Sequence, residues 1–224
     1  MLKPRKRIPR REIKQDTLVT YAFKFTDFVN RHAKVVTTSA IGVAIVLIIG
    51  VICARSKRAA EQRASSALSR AIIAYNQEKY EDAIDILQSI INDCKGTLSA
   101  GVATFYLANA YFFTGDYDNA RKYYSEYLDD YKDDEMLSSS SLAGIGACLE
   151  QKGRFKQAAE YYRRAADEYP EDFQAPQNYL NAGRCYLLAG AKDEAEKVLK
   201  KLIDKYPDSN SRKEAELYLV RLQQ

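Results

Sequence analysis

Two patterns of apolar and polar residues divide the chain. Residues 35–54, VVTTSAIGVAIVLIIGVICA, carry no charge and are held between Lys34 and Arg55. At about 1.5 Å per residue this makes a helix of roughly 30 Å, the thickness of a bilayer's hydrocarbon core. The spacing predicts one transmembrane helix over 35–54, preceded by a short basic segment (1–34) and followed by a long helical domain (55–224). The fold class predicted is all-α.

Internal periodicity organises the domain. The segments AIIAYNQEKYEDAIDIL, LANAYFFTGDYDNARKYY, GIGACLEQKGRFKQAAEYY and NAGRCYLLAGAKDEAEKVL share one pattern. Each has a small residue, a turn residue, an aromatic two positions later and an alanine three after that. The alanines are Ala83, Ala120, Ala158 and Ala195, at intervals of 37, 38 and 37 residues. The turn residues are Gly115, Gly153 and Gly190, with Glu78 in the first segment. Tyr80, Tyr117 and Phe155 follow, where the fourth segment has Lys192.

Each feature has a mechanical reason. Ala71, Ala108, Gly146 and Gly183 let two helices approach closely, and glycine supplies the left-handed conformation that often ends a helix. Pro170 and Pro207 stop the later second helices. About four helix pairs are predicted, at 64–96, 101–134, 139–171 and 176–208. The closing SRKEAELYLVRLQQ (210–224) is predicted to cap the last pair's apolar face.

Within 1–34, KPRKRIPRR is a charge run, read as a disordered arm near anionic headgroups. Leu18, Ala22, Phe25 and Val29 then recur at helical spacing, with Phe23 and Phe28 beside them and Lys14, Lys24, Arg31 and Lys34 between. This predicts an amphipathic helix on the inner face of the membrane, serving as an interfacial anchor or for docking a cytoplasmic partner. The apolar run is longer than the 7–15 residues typical of a signal peptide and begins later, so an uncleaved anchor is expected. Lipidation at Cys53 is disfavoured by Ile52 and Gly50.

Charge changes the picture of which side the domain faces. Ten Lys and Arg precede the span and five lie between Arg55 and Arg70. That bias places the N-terminus in the cytoplasm. Beyond residue 70 there are 19 Lys+Arg against 26 Asp+Glu, so the overall +4 is no sign of nucleic-acid binding.

Candidate chemistry is sparse. His32 is the only histidine and lies beside the span. His-dependent catalysis or a His-based metal site in the domain is therefore not expected. Cys94, Cys148 and Cys185 form no C-x-x-C pair, and Cys148 and Cys185 read as small buried residues at equivalent repeat positions. Asp129, Asp130, Asp133, Asp134 and Glu135 lack the spaced ligands of a calcium loop and read as a solvated connection with helix-start charge. Ser138–Ser141 reads as a helix start. No enzyme, no metal and no cofactor are predicted.

The G-x-Y/F-x-x-A core, strongest in repeats two and three, resembles the tetratricopeptide repeat family. The spacing exceeds that family's usual 34 residues by three or four, so extended loops between repeats are expected. The resemblance implies a superhelix whose concave face is lined by the first helix of each pair. That face would offer Tyr75 and Asn76, then Phe105, Asn109, Phe112 and Phe113, then Glu150, and then Leu180, Arg184 and Leu187. An aromatic patch beside a few polar groups suits an extended or partly unfolded polypeptide. Alternatively, Phe112 and Phe113 simply pack between repeats.

ADEYPEDFQAPQNYLNAG and IDKYPDSNSRKEAELYL are similar to bacterial cell-envelope repeat proteins, including outer-membrane assembly and YbgF-like Tol-Pal-associated families. The layout of basic tail, single span and repeats resembles the YfgM-type ancillary subunits of the SecYEG translocon. It implies a bacterial inner-membrane protein with its repeats in the periplasm, assisting export or chaperoning. Its partners would be the translocon, a periplasmic chaperone or client chains. Two alternatives remain: a scaffold of division, cell-wall or outer-membrane assembly, and a non-catalytic subunit of a membrane enzyme.

Overall fold

The computed structural model describes residues 17–132 and 134–222, and among these every regular element is helical. The basic run before residue 17, Asp133 and the last two residues fall outside this description. Ten helices follow in order: α1 (Thr17–Arg31), α2 (Ala33–Asn76), α3 (Tyr80–Asp93), α4 (Leu98–Phe113) and α5 (Tyr117–Asp130). They continue as α6 (Glu135–Gln151), α7 (Phe155–Glu168), α8 (Ala175–Leu188), α9 (Lys192–Lys205) and α10 (Ser211–Leu222). The chain divides into two compact units, one up to Ser56 and one from Lys57 onward.

The first unit holds α1 and the start of α2, and the apolar stretch lies in α2. The apolar window of α2 has a mean hydropathy of 2.7 and none of it is buried. Ile41, Ile45, Leu47 and Ile52 are all more than half exposed. One helix near the N-terminus is thus long and apolar enough to cross a membrane.

In the second unit the end of α2 packs on α3 through Ala64, Ala71, Ala83 and Leu87, and the pairs α4 with α5, α6 with α7 and α8 with α9 follow, stacked in chain order. Four near-identical turns close the pairs. Each places one residue at positive φ: Glu78 at 61°, Gly115 at 83°, Gly153 at 69° and Gly190 at 72°. The next N–H then reaches back to a carbonyl five residues earlier, from Lys79 to Ala74 (3.0 Å), Asp116 to Tyr111 (2.9 Å), Arg154 to Leu149 (2.9 Å) and Ala191 to Tyr186 (2.9 Å). Left-handed C-terminal closures of this kind satisfy carbonyls that the helix end would otherwise leave open.

The small residues sit where helices meet. Ala71, Ala108, Ala83, Ala120, Ala158 and Ala195 are fully buried. A Cβ added to Gly146 would lie 3.2 Å from the Ala158 carbonyl oxygen, and one added to Gly183 would lie 2.5 Å from the Leu199 side chain. The helix that caps the stack, α10, packs on α8 and α9 and buries Ala215.

The long repeat period does not come mainly from loops. In repeats two and three the extra residues lengthen the first helices, with α4 at 16 residues and α6 at 17 against 14 for α8. Capping residues fix these early starts. Thr97 accepts from the Ala100 N–H at 3.1 Å and Asp134 from the Leu137 N–H at 3.0 Å. Ser138, Ser139 and Ser141 lie within the first turns of α6 and are buried. The connection from Tyr169 to Gln174, which contains Pro170, runs to six residues.

Candidate protein-binding face

Helix ends of the first two repeats gather one aromatic cluster. Tyr75, at the end of α2, meets Tyr80, Tyr106 and Phe113 edge-on, with ring centroids 5.5, 5.3 and 6.0 Å away. Phe113 lies flat on Tyr80, 5.1 Å away with 10° between the planes. Phe112 stands perpendicular to Phe113 and also meets Tyr117, the first residue of α5. Phe105 extends the cluster inward to Tyr106, Tyr124 and Tyr127.

These contacts do pack between repeats, yet they leave a surface. Phe113 is 57% exposed, Asn76 is exposed, and Tyr75 and Phe112 are half-buried. Burial, and then the neighbouring Tyr80 and Tyr106, push the Tyr75 hydroxyl up to about 12, so it remains a hydrogen-bond donor at neutral pH. Tyr80 and Tyr106 belong to this patch although neither is among the residues expected on the concave face. Tyr80 occupies the aromatic position after the turn, which is the signal that points to it.

The other candidate residues have different surroundings. Asn109 accepts a hydrogen bond from the Tyr124 hydroxyl at 2.5 Å and is engaged in the fold. Leu180 is only 3% exposed and belongs to the core, so it offers no docking surface; it faces the neighbouring helices instead of the groove. Leu187 is half-buried.

Glu150 and Arg184 form a bidentate pair across repeats three and four, at 2.6 and 2.9 Å. Tyr162 donates to Glu150 at 3.2 Å and the Cys185 thiol lies 3.5 Å from the same oxygen. Burial raises the Glu150 carboxyl, but the hydrogen bond and charge of Arg184, with the other two donors, outweigh it and hold the group below its ordinary range. Both charges are satisfied by one another. The structure brings these two candidates together as a strut between repeats.

A further concavity lies elsewhere. A groove of about 740 Å³ opens between the last part of α2, the start of α4 and the end of α5, with Leu98, Val102, Tyr131 and Leu137 on its apolar walls. Glu61 fixes one edge by accepting from Ser99, at 3.2 Å from the backbone N–H and 2.5 Å from the hydroxyl. None of the ten candidate residues lines it, and no repeat signature marks it in the sequence.

Burial pushes the thiols of Cys148 and Cys185 up to about 12, which keeps them protonated and unreactive at neutral pH. Among the described residues no group of three or more His, Cys, Asp or Glu side chains could hold a metal ion.

Two family models for the tetratricopeptide repeat match the chain, over residues 99–171 and 149–215. The chain is a tetratricopeptide repeat protein. The first helix pair, whose turn has Glu78 in place of glycine, precedes both matches. Similar solved structures include MamA from Desulfovibrio magneticus RS-1, at 16% identity with a TM-score of 0.53, covering 71% of this chain and 93% of that one. A tetratricopeptide repeat protein from Parabacteroides merdae has a TM-score of 0.60 at 14% identity, covering 72% of this chain and 60% of that one. YrrB, described as having an unusual peptide-binding site, has a TM-score of 0.53 at 18% identity, covering 68% and 74%. At these identities the likeness is one of fold. A search of curated proteins finds no match. Tetratricopeptide repeats are modules that bind other proteins or peptides, and this chain is such a module.

Proposed function

We propose that this is a membrane-anchored interaction protein of the bacterial cell envelope, held by residues 35–54 with its repeats in the periplasm. There it assists protein export or periplasmic chaperoning by binding extended segments of partner or client polypeptides. The observation that carries the reading is the partly exposed aromatic patch of Tyr75, Tyr80, Phe112 and Phe113 beside Asn76. Aromatic rings with part of their faces open give affinity to apolar side chains without requiring a fixed sequence. An adjacent amide can hold the backbone of an extended chain. The apolar, unburied window of α2 supports the anchor, and the resemblance in layout to translocon accessory subunits supports the location.

The test is binding of unfolded, apolar-rich peptides by the full-length protein in lipid nanodiscs. Phe113→Ala together with Asn76→Ala should weaken binding about tenfold, a loss of roughly 1.4 kcal/mol. Phe113 is more than half exposed, so the fold should survive the change. Unchanged affinity in the double variant, with loss in Leu98→Asp instead, would move the binding site to the groove at the start of α4. Absence of any peptide binding would favour a scaffold that contacts folded partners.

A further inference from the structure

The helix α1 has an apolar face that nothing among the described residues covers. At 100° per residue, Tyr21, Ala22, Phe25, Phe28 and Val29 fall within an arc of about 120°. Tyr21, Phe25 and Phe28 are 66%, 68% and 57% exposed. The opposite side carries Thr20, Lys24, Asp27 and Arg31, with Phe23 as its one large apolar residue. Arg31 neutralises Asp27 at 2.8 Å, which leaves Lys24 as the uncompensated charge on that side. His32, whose ring is tilted against that of Phe28 at 4.9 Å between centroids, is the single residue between α1 and α2.

We propose that α1 lies in the headgroup region of an anionic membrane surface, with Tyr21, Phe25 and Phe28 turned into the acyl boundary. This rests on the membrane anchoring proposed above. The uncharged run begins at Val35, only a few residues after α1 ends, so the connection keeps α1 near the level of the headgroups. Aromatic rings are favoured at that depth, where an apolar body meets a wet boundary. Lys24 and Lys34 supply positive charge next to the lipid, and no uncompensated acid on α1 opposes it. A helix with one apolar face and one polar face is stable lying in this plane and has no such place in water. The consequence is mechanical. A helix flat on the surface stops the anchor from sliding through the bilayer and limits its rotation.

The chain contains no tryptophan, so a single introduced tryptophan is a clean reporter. Full-length protein would be reconstituted in vesicles of phosphatidylcholine and phosphatidylglycerol, with and without brominated acyl chains. Phe25→Trp and Phe28→Trp should be quenched by the brominated lipid, and Phe23→Trp at least about twofold less, following the helix period. Ile45→Trp, inside the apolar run, should be quenched most. Quenching at Ile45→Trp without any at Phe25→Trp or Phe28→Trp would overturn the interfacial helix and leave the anchor standing. Shielding of Phe25→Trp from aqueous iodide without lipid quenching would also overturn it, since protein would then cover that face. Absence of lipid quenching at Ile45→Trp would remove the anchor itself.

Discussion

Glu78 is where the repeat signature and the geometry part company. It holds φ 61° in a turn that the other three pairs build with glycine, at φ 83°, 69° and 72°. A left-handed conformation costs an L-residue roughly 1–2 kcal/mol, and glycine avoids that at the expense of some chain entropy. Glu78→Gly should therefore raise stability by about 0.5–1 kcal/mol, read as a later midpoint in urea unfolding. An earlier midpoint would show that the Glu78 side chain contributes more than its backbone costs. Gly144 carries the opposite lesson. An added Cβ there would collide with the ring of Tyr124, which is held in place by its hydrogen bond to Asn109 and cannot withdraw. Gly144→Ala should cost about 1–3 kcal/mol in the same assay. The turn glycines were legible because they recur at a fixed period. Gly144 was not, because the ring it makes room for comes from the preceding repeat and leaves no local mark.

Between elements, charged struts join consecutive repeats. Glu150 and Arg184 tie α6 to α8, and Asp167 of α7 receives Lys201 from α9 at 2.6 Å and the hydroxyl of Tyr179 from α8. Burial raises the Asp167 carboxyl, but its hydrogen bonds from Lys201 and Tyr179 and the charges of Lys201 and Arg163 hold it below its ordinary range. A carboxyl depressed in the folded state stabilises the fold fully above its unfolded pKa, about 4.3 for Glu, and loses that contribution as pH falls through the lower folded value. Stability of the last two repeats should thus decline on acidification below about pH 4. Glu150→Gln should be less stable than the wild type at pH 7, and the difference should shrink as the pH falls through that range, measured by urea unfolding at a series of pH values. A constant difference would mean that the carboxylate charge does not matter.

The repeat register places Glu150 and Arg184 on the first helices of successive pairs, but nothing in it marks their mutual pairing. Likewise the surplus length of the repeats, expected in loops, lies mainly in the longer helices α4 and α6. Small residues such as Ser99, Ala100, Ser138 and Ser139 permit a further packed helical turn in α4 and α6, and periodicity alone does not distinguish helix from loop at such ends.

For the whole molecule, the apolar run and the repeats are readable because both are patterns of apolar and small residues sustained over many positions. Partners are not encoded that way. They depend on which rings remain half-exposed after the helices stack, as Tyr75, Phe112 and Phe113 do, and on a groove at Leu98 that no motif announces. The central claim is that this aromatic patch meets extended polypeptide while the chain is held in the membrane. Photo-crosslinking from position 76 in intact bacterial cells tests it most directly, with position 168 on α7 as a reference site. The account predicts adducts with translocon subunits and with many emerging envelope proteins from position 76, and far fewer from position 168. One fixed set of division, cell-wall or outer-membrane assembly proteins, captured equally from both positions, would contradict it.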